Sequence, residues 1–95
     1  MHHHTTYYLF FFAVVIDAIN FSDDYSILEI NALEKWIGRT LISLDLRNKY
    51  AMNVLCIKNT NKDLEISPSP EYIIEKGDIL VAIVENEKIK GTELE

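Results

Sequence analysis

Apolar and polar positions divide this chain into short segments, most of them strand-sized. Phe21-Ser22-Asp23-Asp24 is a polar break with turn chemistry. Residues 25–30 then alternate, with Tyr25, Ile27 or Leu28, and Ile30 competing for one face, and their β-branched and aromatic content predicts a strand. Residues 31–35 read as a connector, which Trp36-Ile37-Gly38 closes with a packing anchor and a flexible joint. Thr40 is placed to cap a helix. Leu41 and Leu44 stand three apart and Leu46 and Tyr50 four apart, so residues 40–50 read as one helix or two short ones meeting near Asp45. Residues 53–58 predict a strand, Asn59-Thr60-Asn61-Lys62-Asp63 a hairpin turn, and residues 64–67 the returning strand. Pro68 and Pro70 stop the ladder because proline offers no N–H. Residues 71–76 read as a short helical turn, and Gly77-Asp78 resets the chain. Residues 79–84, Ile-Leu-Val-Ala-Ile-Val, are apolar throughout and predict a strand buried on both faces. Residues 85–95 form a charged tail, helical at its start.

The two ends change the picture little. His2, His3 and His4 beside Met1 look like part of a purification tag and are left out of the functional argument. Residues 7–16 are strongly apolar, yet shorter than the roughly 18–20 residues a membrane helix requires. With no basic flank or small-residue cleavage site, a signal peptide is not indicated either. This stretch reads as an element buried against a partner chain, or as a segment foreign to the native protein. The expected division is therefore residues 1–15 as tag and uncertain segment, 16–90 as one α+β domain, and 91–95 as tail.

Ninety-five residues suit one domain whose core is adequate rather than generous. Hydrophobic residues at 48 % and charged residues at 25 % exclude a disordered chain. The remaining apolar surface favours pairing with a like chain. A net charge of −6 argues against nucleic acid, whose binders carry a basic patch. Any anion site must then be local, made by one or two cations. The single cysteine, Cys56, lies in an apolar run and reads as a small buried hydrophobe in a reducing, cytoplasmic compartment.

The search for catalytic chemistry turns up little. The only histidines are the three beside Met1, one cysteine cannot found a zinc site, and three scattered glycines build no phosphate loop. The chain is expected not to be an enzyme. What stands out is Asp45, Arg47 and Asn53 set among Leu41, Ile42, Leu46 and Met52. From spacing alone, Arg47 as a surface cation and Asn53 as a turn residue is the favoured reading.

Residues 34–41, Glu-Lys-Trp-Ile-Gly-Arg-Thr-Leu, followed by Leu44-Asp45-Leu46-Arg47-Asn48-Lys49-Tyr50, resemble the RCK C-terminal domain, also called TrkA-C. The likeness continues through residues 53–58, Ile66-Ser67-Pro68-Ser69-Pro70 and Glu75-Lys76-Gly77-Asp78-Ile79-Leu80-Val81, and reaches back to Asp23-Asp24-Tyr25-Ser26-Ile27. It covers roughly residues 16–88, and residues 7–15 do not share it. The resemblance implies a mostly antiparallel sheet with short helices that homodimerises, in the gating subunit of a bacterial Ktr- or Trk-type potassium-uptake system. It further implies a nucleotide-binding N-terminal domain beyond this chain, an octameric ring beneath a membrane channel, and a cytoplasmic position at the inner face of the membrane.

In the Ktr branch the resemblance implies cyclic di-AMP as a regulatory ligand at the dimer cleft, with no other cofactor and no metal. A two-fold ligand suits a two-fold dimer. Carried over to this chain, Arg47 from each subunit would meet one phosphate. Leu41, Ile42 and Leu46 would wall the adenines, Asp45 and Asn53 would face an adenine edge, and Pro70 would lie against a base. The family often places Gly or Asn where this chain has Ala51; a left-handed backbone there would cost about 1 kcal/mol and bear on the turn holding Asn53. The alternative is a ligand-free dimerisation module attached to a transporter, an antiporter or a transcription regulator.

Overall fold

Five strands form one sheet in the computed structural model of the chain, which describes residues 15–61 and 63–86. They are β1 (Val15–Asn20), β2 (Tyr25–Asn31), β3 (Met52–Lys58), β4 (Leu64–Ile66) and β5 (Ile79–Glu85). Their order is β1-β2-β5-β3-β4, and every neighbouring pair is antiparallel. Two short helices, α1 (Leu41–Leu44) and α2 (Leu46–Tyr50), and a 3-10 turn at Glu34–Trp36 cover one face. The α+β expectation, a mostly antiparallel sheet with short helices, is met.

The most apolar strand takes the centre, where both its edges are paired. Its side chains alternate: Leu80, Ala82 and Val84 are fully buried, whereas Ile79, Val81 and Ile83 are only half covered. The expectation of burial on both faces is therefore corrected. Helices cover one side of the sheet only, so the opposite side of β5 keeps partial access to solvent. The core on the covered side joins Leu28, Ile30, Met52, Ile57, Leu80, Ala82 and Val84 to Trp36, Leu44, Leu46 and Ile74. On β2 this settles the competition for a face, because Leu28 and Ile30 point into the core. The register of β3 on β5 shifts between Val54 and Cys56, a bulge that leaves Leu55 without an opposite residue.

Side-chain chemistry at the turns follows the sequence closely. Ser22 Oγ accepts from the N–H groups of Asp24 and Tyr25, each at 3.2 Å, and closes the β1–β2 hairpin. Asn59 Oδ1 does the same between β3 and β4, accepting from the N–H of Asn61 at 2.9 Å and of Asp63 at 3.1 Å. Asn86 then ties the end of β5 to the first hairpin. Its N–H donates to the Asp24 carbonyl at 2.8 Å and its Oδ1 accepts from Ser26 Oγ at 2.7 Å.

Two differences from the sequence reading have physical causes. β1 extends through Asp17, Ala18 and Asn20, residues with poor strand propensity, because pairing with β2 overrides local preference. Residues 71–76 are not a helical turn but an extended strap. Gly38 N–H donates to the Ile74 carbonyl at 2.8 Å, Ile74 N–H to the Arg39 carbonyl at 2.9 Å, and Thr40 bridges to Ile73. The strap's backbone groups are thus satisfied by residues 38–42 rather than by a helix of its own. The apolar stretch at residues 7–16 and the tail at 85–95 fall largely outside the described residues; of the first, Val15 and Ile16 open β1, and of the second, Glu85 ends β5 and Asn86 follows it.

Candidate functional site

The site is built on the capped start of α1. Thr40 is extended, and its Oγ1 accepts from Ser43 N–H at 3.2 Å while Ser43 Oγ donates back to the Thr40 carbonyl at 2.8 Å. Arg39 Nη2 adds a bond to the Ser43 carbonyl at 2.8 Å. The first N–H groups of α1 point at the strap. Leu41 N–H donates to the Tyr72 carbonyl at 3.0 Å and Ile42 N–H to the Pro70 carbonyl at 2.9 Å. Leu41, Ile42 and Pro70 are thereby brought side by side from positions almost thirty residues apart.

Asp45 separates the helices in a left-handed conformation, φ 52° and ψ 45°. Of the two readings left open by the spacing, two short helices meeting near Asp45 is what forms. Asn48 Nδ2 donates to Asp45 Oδ1 at 2.8 Å, and Lys49 N–H to the Asp45 carbonyl at 3.0 Å, which fixes the joint. The reversal lets Leu44 and Leu46 both reach the core, only two residues apart. It also turns Arg47 outward. Among the described residues nothing pairs with the Arg47 guanidinium, and the side chain is exposed.

Ala51 ends α2 in the same left-handed region, φ 54° and ψ 41°, with its N–H donating to the Leu46 carbonyl. The turn that the sequence flagged does require φ > 0, and alanine adopts it. Met52 then enters the core and Asn53 faces out at the start of β3. Ala51→Gly should therefore stabilise the domain by about 1 kcal/mol. A rise in melting temperature of roughly 4–8 °C would register this, and no rise would show that the turn carries no strain.

All seven residues singled out from the sequence line one open cleft of about 530 Å³: Leu41, Ile42, Asp45, Leu46, Arg47, Asn53 and Pro70. Leu46 is the most buried of them and forms its floor. Met52, already named as an apolar neighbour of these residues, completes the lining together with Val54 and Pro68, which were not singled out. The signal for Val54 was period two from Met52 along β3, and for Pro68 its place two residues before Pro70. A smaller hollow of about 320 Å³ adjoins the cleft, shares Arg47 and Asn53 with it, and adds Tyr25, Asn48, Ile83 and Glu85. No three His, Cys, Asp or Glu side chains cluster as metal ligands among the described residues.

Behind the cleft lies a buried carboxylate. Asp78 is 1 % exposed, and its Oδ2 accepts from the Tyr72 hydroxyl and from Glu75 N–H, both at 2.9 Å. Burial of the Tyr72 phenol, the hydrogen bond to Asp78, and the charges of Asp78, Glu75 and Glu65 push its pKa up from 10.0 to about 12. The folded chain therefore holds this proton more tightly than the unfolded one. That stability is fully present below about pH 10 and is lost as pH rises from 10 towards 12. Urea midpoints should fall over this window in the native chain and fall less in Tyr72→Phe.

The model of the TrkA-C domain matches residues 25–93. The Ktr system potassium uptake protein A of Bacillus subtilis (strain 168) is 40 % identical over 81 residues, which is 85 % of this chain and 36 % of that protein. The K(+)/H(+) antiporter subunit KhtT of the same organism is 39 % identical over 56 residues, 59 % of this chain and 34 % of that protein. The chain thus spans about a third of the length of these relatives. The solved RCK C domain of the potassium transport protein KtrA, in complex with cyclic di-AMP, is 39 % identical, with a TM-score of 0.64 over 73 % of this chain and 80 % of that one.

Proposed function

The chain belongs to the TrkA-C, or RCK C, domain family, and from that premise we propose that it is a regulatory domain that senses cyclic di-AMP and thereby controls potassium transport. One observation carries this reading. A cation without a partner among the described residues, Arg47, stands in a cleft walled by Leu41, Ile42 and Pro70, in a fold shared with a 39 % identical domain solved with that ligand.

The chemistry of the cleft suits the two parts of the ligand. A phosphate gains a charge-assisted hydrogen bond from a guanidinium that no carboxylate occupies among the described residues. An adenine buries its faces against Ile42, which is 67 % exposed without a ligand, and against Pro70. Asp45 and Asn53 offer an acceptor and an amide to its edge. A homodimer closes two such clefts about one two-fold axis, so one molecule with two phosphates and two adenines fills both. In a domain of net charge −6, that local pair of arginines is what admits an anion at all.

On this reading the domain is not catalytic. It transmits ligand binding to the remainder of a gating subunit, which carries a nucleotide-binding domain, assembles as an octameric ring and docks on a membrane potassium channel from the cytoplasmic side. The likeness to KhtT favours a second reading, in which the same sensor serves a cation antiporter instead.

Calorimetry on the purified chain tests the proposal. One cyclic di-AMP should bind per dimer, with a rise in melting temperature by linkage, roughly 2.7 kcal/mol at a hundredfold excess over Kd. Neither heat nor thermal shift at millimolar ligand would leave only a dimerisation module.

A further inference from the structure

We propose that Asp78 is a positioning residue for the cleft: its carboxylate fixes the strap of residues 69–78, and the strap's carbonyls hold the first turn of α1, with Leu41 and Ile42, against Pro70. The inference rests on the cyclic di-AMP reading for its ligand, although the geometry stands without it.

Tyr72 is the link. Its hydroxyl donates to Asp78 Oδ2 at 2.9 Å, and its own carbonyl accepts from Leu41 N–H at 3.0 Å. Tyr72 N–H donates to the Ser69 carbonyl at 2.9 Å, closing the turn that presents the Pro70 carbonyl to Ile42 N–H. A second arm runs from the same carboxylate oxygen to Glu75 N–H, and the Asp78 N–H donates to the Glu75 carbonyl at 3.0 Å. Asp78 is itself anchored, since its carbonyl accepts from Ala32 N–H at the end of β2. One buried side chain therefore sets the distance from the sheet to the strap, and the strap sets the distance from Pro70 to α1.

Apart from the Tyr72 hydrogen bond, stability gives little reason for an acid at this position. A carboxylate taken out of water is costly, and replacing such a group with a well-packed apolar one is often neutral or favourable. Here the cost is high, because Oδ1 is buried with no hydrogen-bond partner among the described residues while Oδ2 receives both bonds. What the acid supplies is direction: two donors, one from a side chain and one from the backbone, converge on a single oxygen. A site whose supporting groups are left loose loses affinity even when its contact residues are intact.

The test uses the full chain with Tyr72→Phe, which removes only the hydroxyl, and Asp78→Asn, which keeps the shape and one carbonyl oxygen. Cyclic di-AMP titrations at several salt concentrations are combined with amide exchange by NMR. Each variant should bind roughly tenfold more weakly, the scale on which supporting shells act, while one ligand per dimer and the salt dependence set by Arg47 persist. Exchange at the Leu41 and Ile42 amides should quicken. A merely structural role would lower stoichiometry or melting temperature and leave the affinity of the folded fraction within twofold, and that result overturns the proposal. Should the native chain bind no cyclic di-AMP, the function reading falls and exchange alone decides. Faster exchange confined to Leu41 and Ile42 in Tyr72→Phe upholds the positioning role, and unchanged exchange removes it.

Discussion

Arg47→Ala is expected to abolish measurable cyclic di-AMP binding while leaving the fold and the dimer intact. The guanidinium is exposed and has no partner among the described residues, so its loss leaves no buried carboxylate stranded. Surface substitutions of that kind usually stay within about 0.5 kcal/mol of neutral. Binding is another matter, because a dimer loses two arginines at once. Hydrogen bonds to charged groups contribute about 1.5–3 kcal/mol each, so a ligand that meets both copies forfeits roughly 3–6 kcal/mol, or two to four decades in Kd. Arg47→Lys should recover only part of this, since an ammonium keeps the charge but not the planar fork. Calorimetry and light scattering on the same samples separate the two effects. An Arg47→Ala chain that binds with near-native affinity removes the phosphate role, and a monomeric one shows that Arg47 serves assembly.

The result bears on how a domain of net charge −6 could select an anion. Arg39, a second arginine near the cleft, is already committed to the Ser43 carbonyl at 2.8 Å. Arg47 owes its freedom to the left-handed joint at Asp45, which breaks what would otherwise be one helix and aims the side chain away from the core. The same joint delivers Leu44 and Leu46 to the core from either side. Left-handed backbone at Asp45 and at Ala51 thus flanks the residue proposed to meet the phosphate, and strained positions often cluster at such sites.

Much of the fold is legible in the sequence alone. The β2, β3, β4 and β5 segments follow from apolar runs bounded by turn residues, and the Thr40 cap follows from its side chain. The cleft itself was legible only through the family resemblance, because residues 41–47 and Pro70 carry no local sign that they meet. Their meeting depends on Leu41 and Ile42 donating to carbonyls of a strap that local sequence assigns to a helical turn. β1 was missed for the complementary reason: Asp17 and Asn20 have no strand preference, and only the β2 edge beside them imposes it. The unequal faces of β5 were invisible too, since a continuous apolar run does not say how many layers will cover it.

The largest effect on stability is expected at Trp36. It is 2 % exposed, ends the 3-10 turn, and packs its ring on Tyr50 with centroids 6.3 Å apart and planes tilted by 46°. It joins the core cluster that contains Leu44 and Leu46, so the platform beneath both site helices rests partly on this one side chain. Truncating a buried tryptophan costs about 3–5 kcal/mol, against a total of about 5–15 kcal/mol for a typical domain. Trp36→Ala should consequently be close to unfolded at 37 °C by circular dichroism. Trp36→Phe, which keeps an aromatic surface for Tyr50, should lose less than half as much. On the proposed function, a ligand that binds only the folded form stabilises it, so saturating cyclic di-AMP should restore part of the Trp36→Ala transition and move it to higher temperature. Loss of the transition in the ligand-free alanine variant with recovery in its presence ties the core to the cleft. A Trp36→Ala chain that melts like the native one would mean that the helices do not depend on this anchor.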